Sequence, residues 1–208
     1  MKAFLTLGRR ARGQRGVTLI ELLVSMIIMG IISTMIILVW SSLQSSYSYT
    51  VSAAQSRSTA RDTMAHMRRE IRDAMFDPTS GEGPIVVAEA NHIQIMTAFN
   101  NSGGNIQAVD WWYRTSSSTN GSITRQRGTW PAQTQATNVV NVIKGTPLFR
   151  YSYLDAAGNT VVASSVSAAD VSRILTVEIH ILADVNPAHP PIFMDLVSTV
   201  QPRNQRQF

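Results

Sequence analysis

The sequence predicts an α+β fold in which one long N-terminal hydrophobic helix precedes a globular domain built on an antiparallel β-sheet. Two observations carry this expectation. From Val17 to Trp40 the chain runs 24 residues with Glu21 as the only ionisable side chain, enough for a helix of about 36 Å that crosses hydrocarbon. After Pro84, apolar residues recur in short runs separated by Asn, Asp and Gly, the patterning of strands and turns without interleaved helices.

The first sixteen residues form a segment of their own. Lys2, Arg9, Arg10, Arg12 and Arg15 precede Gly16 with no acid among them. The rest of the chain carries 13 of the 18 Lys and Arg and all 13 Asp and Glu, so the net charge of +5 belongs to this tail. A generic phosphate-binding surface on the body is therefore not implied. The chain has no cysteine, which excludes disulfides and thiolate metal sites. Its 208 residues suffice for one ordinary domain plus an extra element.

A basic segment followed by an apolar one also describes a secretory signal peptide, but the apolar run is about twice the usual signal core. Val39-Trp40-Ser41 is a poor small-x-small cleavage site. Arginines before the span place the N-terminus in the cytoplasm and the body outside, as a single-pass membrane protein. Residues 41–77 are expected to continue the helix amphipathically, with apolar side chains at Leu43, Tyr47, Val51, Ala54, Ala60, Met64, Met67, Ile71 and Met75. Asp77-Pro78, then Gly81 and Gly83, stop it.

Residues 84–208 read as the sheet domain. Ile85–Ala88 and Ile93–Phe99 form a hairpin around Glu89-Ala90-Asn91. Val109–Arg114 and Ser122–Arg127 flank a polar loop ending in Asn120-Gly121. Leu148–Leu154 and Thr160–Ala163 flank Asp155 to Asn159. Arg173–Ala183 alternates through Ile174, Val177, Ile179 and Ile181, and Ile192–Val200 follows a turn at Pro187–Pro191.

Gly16-Val17-Thr18-Leu19-Ile20-Glu21-Leu22-Leu23, behind a basic leader and ahead of an apolar span, resembles the signal of type IV prepilins and type II secretion pseudopilins. The resemblance implies a pilin-like fold and processing by a membrane prepilin peptidase, which cleaves on the cytoplasmic side and methylates the new N-terminus. Residues 1–16 would be the cleaved leader, with Gly16 on the cleavage side and Val17 the new N-terminus. Val17 departs from the phenylalanine most common there. Residues 17–40 would be the transmembrane and assembly helix, with Glu21 as the acid of the motif. In a filament the α-amino group of a neighbour's Val17 would neutralise Glu21 and set the axial register. The competing account is a carboxylate at the membrane interface of an ordinary anchor. Gly30 allows close helix approach or is a tolerated glycine.

The body resembles the minor, J-type pseudopilins and related large minor pilins, through Met67-Arg68-Arg69-Glu70-Ile71-Arg72-Asp73-Ala74, Asp110-Trp111-Trp112-Tyr113-Arg114, Leu148–Tyr153 and the terminal Pro202-Arg203-Asn204. Presence of Glu21 argues against a K-type tip subunit. The implied partners are other major and minor pilins or pseudopilins, the peptidase and the bacterial inner membrane. The implied position is near the filament tip, with the sheet domain extracytoplasmic.

No enzymatic motif is present, and neither a cofactor nor a metal is expected. His66, His92, His180 and His189 lack ligand spacing. Glu178, His180 and Leu182 share one face of a strand, expected to be solvated. Asp110 beside Trp111 and Trp112 reads either as a sugar site or as sheet packing. Arg68, Arg69 and Arg72 are expected to form surface ion pairs with Glu70 and Asp73. Two alternatives stay open beside a filament subunit. One is a competence or adhesion subunit binding DNA or a surface ligand, using Arg114, Arg125 and Arg127. The other is a plain membrane-anchored protein.

Overall fold

A computed structural model of the chain describes residues 18–98, 106–116, 120–184 and 193–203. The expected leader, Gly16 included, and Val17 lie outside the described residues, as do Phe99, His189, Ile192, the Pro187–Pro191 turn and Asn204. The structure is the expected α+β, pilin-like arrangement: one long apolar N-terminal helix, then an antiparallel half-barrel. Two compact units divide between Ser48 and Tyr49.

Helix α1 spans Leu19–Arg72, 54 residues. In the first unit its large apolar side chains, from Leu19 through Trp40 and Leu43, are all exposed. An 18-residue window there has mean hydropathy 2.8 and no buried residue. Burying one such side chain is worth about 1.5–3 kcal/mol, so this surface belongs in lipid or against other helices. Two of its hydroxyls are satisfied within the helix: Ser25 Oγ donates to Glu21 O at 2.7 Å and Thr34 Oγ1 to Gly30 O at 2.8 Å. This is the internal pairing that a hydrocarbon environment demands.

In the second unit α1 buries Ala53, Ser56, Ala60, Thr63, Met64, Met67, Glu70 and Ile71. The expected stripe holds at Ala60, Met64, Met67 and Ile71, but Val51 and Ala54 are exposed and their neighbours Ala53 and Ser56 make the contact. Hydrogen bonding explains the shift, because this face is also read by polar groups. Thr63 Oγ1 donates to Gln135 O at 3.0 Å and Asn138 Nδ2 to Ser56 Oγ at 3.2 Å. The helix stops at Arg72, five residues short of the expected end at residue 77. Met75 N–H turns instead to Met96 O, 2.9 Å away on the sheet. Beyond it, Asp77 accepts Thr79 N–H and Ser80 Oγ–H at 2.9 and 2.8 Å. These bonds hold its carboxyl below the usual carboxylate range. Their stabilisation is present above that range and is lost as pH falls through the lowered value.

Nine strands follow: β1 Ile85–Ala88, β2 His92–Ala98, β3 Ile106–Thr115, β4 Gly121–Arg127, β5 Gln133–Val139, β6 Phe149–Leu154, β7 Thr160–Ala163, β8 Ile174–Asp184 and β9 Phe193–Val200. Their order in the sheet is β1-β2-β3-β4-β5-β8-β6-β7, with β9 on the other side of β8. All pairings are antiparallel, and β1 to β5 form a meander. Curvature returns the start of the meander to β6: Phe149 N–H donates to Ala90 O, and Val166 N–H to Ala88 O, each at 2.9 Å. The concave side holds Ile93, Ile95, Val109, Trp111, Ile123, Phe149, Tyr151, Val177, Ile179 and Ile181 against Met67 and Ile71. At the Asn120-Gly121 turn, a Cβ on Gly121 would stand 2.0 Å from Tyr113 Oη. Only glycine leaves that hydroxyl room to reach Val139 O at 2.9 Å.

β8 is shared between two halves of the sheet. It pairs with β6 through Ile174–Ile179 but meets β5 in a single bridge, Val139 to Ala183. Fully buried Asn141 fills the gap as a surrogate peptide group. Its Oδ1 accepts Leu182 N–H at 2.8 Å and its Nδ2 donates to His180 O at 2.5 Å. Asn141→Asp replaces the donor by an acceptor facing another acceptor. We expect thermal unfolding to show a loss of about 1–3 kcal/mol, with Asn141→Gln failing to restore stability because the longer side chain overshoots the gap.

Candidate assembly helix and its anchor on the sheet

The N-terminus of α1 is closed by its own side chains. Thr18 precedes the helix, and Glu21 N–H donates to Thr18 Oγ1 at 3.3 Å. In return Glu21 Oε2 accepts Thr18 N–H at 2.9 Å and Thr18 Oγ1–H at 3.0 Å. This reciprocal arrangement is a capping box, which satisfies orphan amides and places negative charge at the positive end of the helix dipole. The Thr-x-x-Glu spacing ahead of an apolar run was the available signal for it. Glu21 therefore has an intrachain task besides the expected intersubunit one. A Cβ at Gly30 would meet open space, so no contact within the chain requires glycine there.

The second candidate cluster lies inside the sheet domain and overturns an expectation. Glu70 is not a member of a surface ion-pair network; it is buried at 8% exposure. Periodicity explains why, since Met67, Glu70 and Ile71 share the face of α1 that meets the sheet. Arg125 grips the carboxylate from β4, through Nη2 at 2.5 Å and Nε at 3.1 Å. From β3, Trp111 donates its indole N–H to Oε2 at 2.7 Å. Trp111 and Arg125 are direct cross-strand partners, so one rung of the sheet presents both groups to the helix. Arg127 Nη2 and His66 Nε2 stand further out, at 3.9 and 3.8 Å from Oε1. The His66 ring also meets the Trp111 ring edge-on at 5.7 Å.

The proposed nucleic-acid patch is likewise dispersed. Arg125 and Arg127 turn toward Glu70, whereas Arg114 lies over the Trp112 ring at 4.9 Å on the opposite face of the sheet. Trp111 and Trp112 point to opposite faces, so they form no joint platform for a sugar. Asp110 binds His92 Nε2 and Gln94 Nε2 at 2.9 and 3.0 Å. On β8, Glu178 faces Arg150 at 3.9 Å and His180 meets Asp195 at 2.6 Å. That face is not uniformly solvated, because Leu182 and Asp184 are buried. Among the described residues, no group of three or more His, Asp or Glu side chains could hold a metal ion.

Residues 11–37 match the prokaryotic N-terminal methylation motif. That span takes in Gly16, Val17, Glu21 and Gly30 and supports a type IV pilin-like chain with a single N-terminal membrane anchor. No curated protein matches the chain. The motif ends at Ile37, so the sheet domain stands on its own geometry.

Removing one partner of a buried ion pair costs about 3–5 kcal/mol because the other is left uncompensated. Arg125→Met and Glu70→Met should each destabilise the chain on that scale in denaturant unfolding. The double replacement should cost clearly less than the sum, and strict additivity would show that the pair is not coupled.

Proposed function

We propose that this chain is a minor subunit of a type IV pilus or type II secretion pseudopilus. It is inserted as a single-pass inner-membrane protein, cleaved after Gly16 and assembled through α1, with no catalytic activity of its own. The observation that carries this is the methylation motif at residues 11–37 joined to a capped helix whose large apolar side chains are exposed. The five positive charges of the leader hold residues 1–16 on the cytoplasmic side, where a prepilin peptidase would cut and methylate Val17. The sheet domain would then stand outside the membrane and contact other pilins near the filament tip. Its resemblance to the J-type subunits favours the secretion pseudopilus.

Glu21 supplies the assembly logic. An uncompensated carboxylate in the span costs up to about 2.5–3.5 kcal/mol on insertion scales. Cleavage creates an α-amino group at Val17, and a neighbour's amine beside Glu21 removes that cost only in the assembled state. Lateral helix contacts through the exposed apolar face and Gly30 complete the packing.

Two measurements test this. In cells with the cognate peptidase, Gly16→Leu should leave a band heavier by about 1.8 kDa, the mass of residues 1–16; comigration with the unaltered chain refutes processing. Glu21→Gln keeps an acceptor for the capping box but removes the charge, whereas Thr18→Ala removes the cap and keeps the charge. Glu21→Gln should be processed yet absent from sheared filaments, and Thr18→Ala should still be incorporated. The opposite pattern would assign Glu21 to capping alone.

A further inference from the structure

The outer edge of β9 is an eight-residue run of backbone whose outward groups find no hydrogen-bond partner among the described residues. Its polarity follows from β8. On the β6 side, His180 N–H donates to Leu148 O and Leu182 N–H to Asn141 Oδ1. Even-numbered residues of β8 thus point their peptide groups that way and odd-numbered ones toward β9. The register pairs Ile179 with Ser198, Ile181 with Leu196 and Ala183 with Met194. So Met194, Leu196, Ser198 and Val200 spend their N–H and C=O on β8, while Asp195, Val197 and Thr199 aim theirs away. The other margins are better protected: β1 receives Val166 N–H on Ala88 O, and β7 has only four residues. An open edge of this length and apolarity is a template for strand addition.

The geometry points to β9 as a docking strand for an extended segment of another polypeptide that carries Arg or Lys beside Asp195. Outward N–H and C=O groups at alternate residues fit only extended backbone. Asp195 is the only charged residue of β9, with a side chain 54% exposed, so the complementary charge is positive. Its contact with His180 uses Oδ1, and a carboxylate has further lone pairs to offer. On the other face Met194 and Leu196 are only half covered while packing on the core. Alternate apolar residues of the incoming strand would extend that cover. A second copy of β9 is the poorer occupant, since Phe193–Val200 contains no basic residue to set against Asp195. This inference concerns the sheet domain and stands whether or not the chain enters a filament.

The probe is a fluorescein-labelled octapeptide of alternating valine and threonine with one central arginine, titrated into the full chain in detergent. Saturable binding is expected, with amide exchange at Asp195, Val197 and Thr199 slowed on complex formation. Val197→Pro deletes an outward N–H and leaves the β8–β9 ladder intact. It should weaken binding about tenfold or more, roughly 1.4 kcal/mol or above, with little change in melting temperature. Asp195→Lys tests the charge independently and should reverse the preference, favouring the same peptide with glutamate at its centre. No saturable binding, or binding indifferent to both substitutions, overturns the proposal. So does self-association of the chain that Val197→Pro dissolves, which would make the occupant a second copy.

Discussion

One carboxylate holds the helix to the sheet. Glu70 projects from α1 among Met67 and Ile71 and is met there by Arg125 and Trp111 from one rung of the β3–β4 pair. The apolar residues around it, Met67, Ile71 and Ala74, supply most of the burial, but such a stripe tolerates small slides and rotations. A buried ion pair does not, because displacement by one turn leaves two charges without compensation in a medium that solvates neither. Hydrophobic burial brings the two layers together, and Glu70 selects the alignment in which they meet. The polar contacts of Ser56 and Thr63 with Asn138 and Gln135 reinforce that alignment further up the helix.

The same helix uses glutamate in two different ways. At Glu21 the carboxylate folds back on Thr18 and serves the helix end itself. At Glu70 it reaches across to another element and is shielded from water. The difference is imposed by position: the first turn has orphan amides to satisfy, whereas the interior of the helix has none. A residue in the first turn can thus keep its local bonds and still present charge to an incoming partner, which an interior residue sealed under a sheet cannot do.

Much of the fold was legible in the sequence, and the reasons differ by element. The apolar span and the hairpins around Glu89–Asn91, Asn120-Gly121 and Asp155–Asn159 were visible because periodicity and turn residues agree there. β5 was missed: Gln133–Val139 reads QTQATNV, with no apolar alternation to betray a strand. It exists because β4 offers a ladder and α1 offers hydrogen bonds, and neither is local in sequence. Glu70 was misplaced for a related reason. A run of Arg and Glu on a helix looks like a solvated face, and its partner Arg125 lies 55 residues away. Of the site residues, Gly16, Val17 and Glu21 fall in a contiguous run that matches the methylation motif, which is why the motif was legible in the sequence. The capping role of Glu21 was written in the Thr-x-x-Glu spacing and became evident only with the geometry.

Asn141 has a mechanical meaning. Between β5 and β6 the sheet is sewn to β8 by one backbone bridge and one side-chain amide, where every other junction is an extended ladder. Load applied across the strands concentrates at such a seam, since few bonds share it and they break in sequence rather than together. The meander β1–β5 on one side and the β6–β9 group on the other are then the natural fragments of a stretched domain. At the far end the bonds from Phe149 and Val166 to Ala90 and Ala88 tie the same two fragments, so the Asn141 amide is one of the few links that must fail before they part.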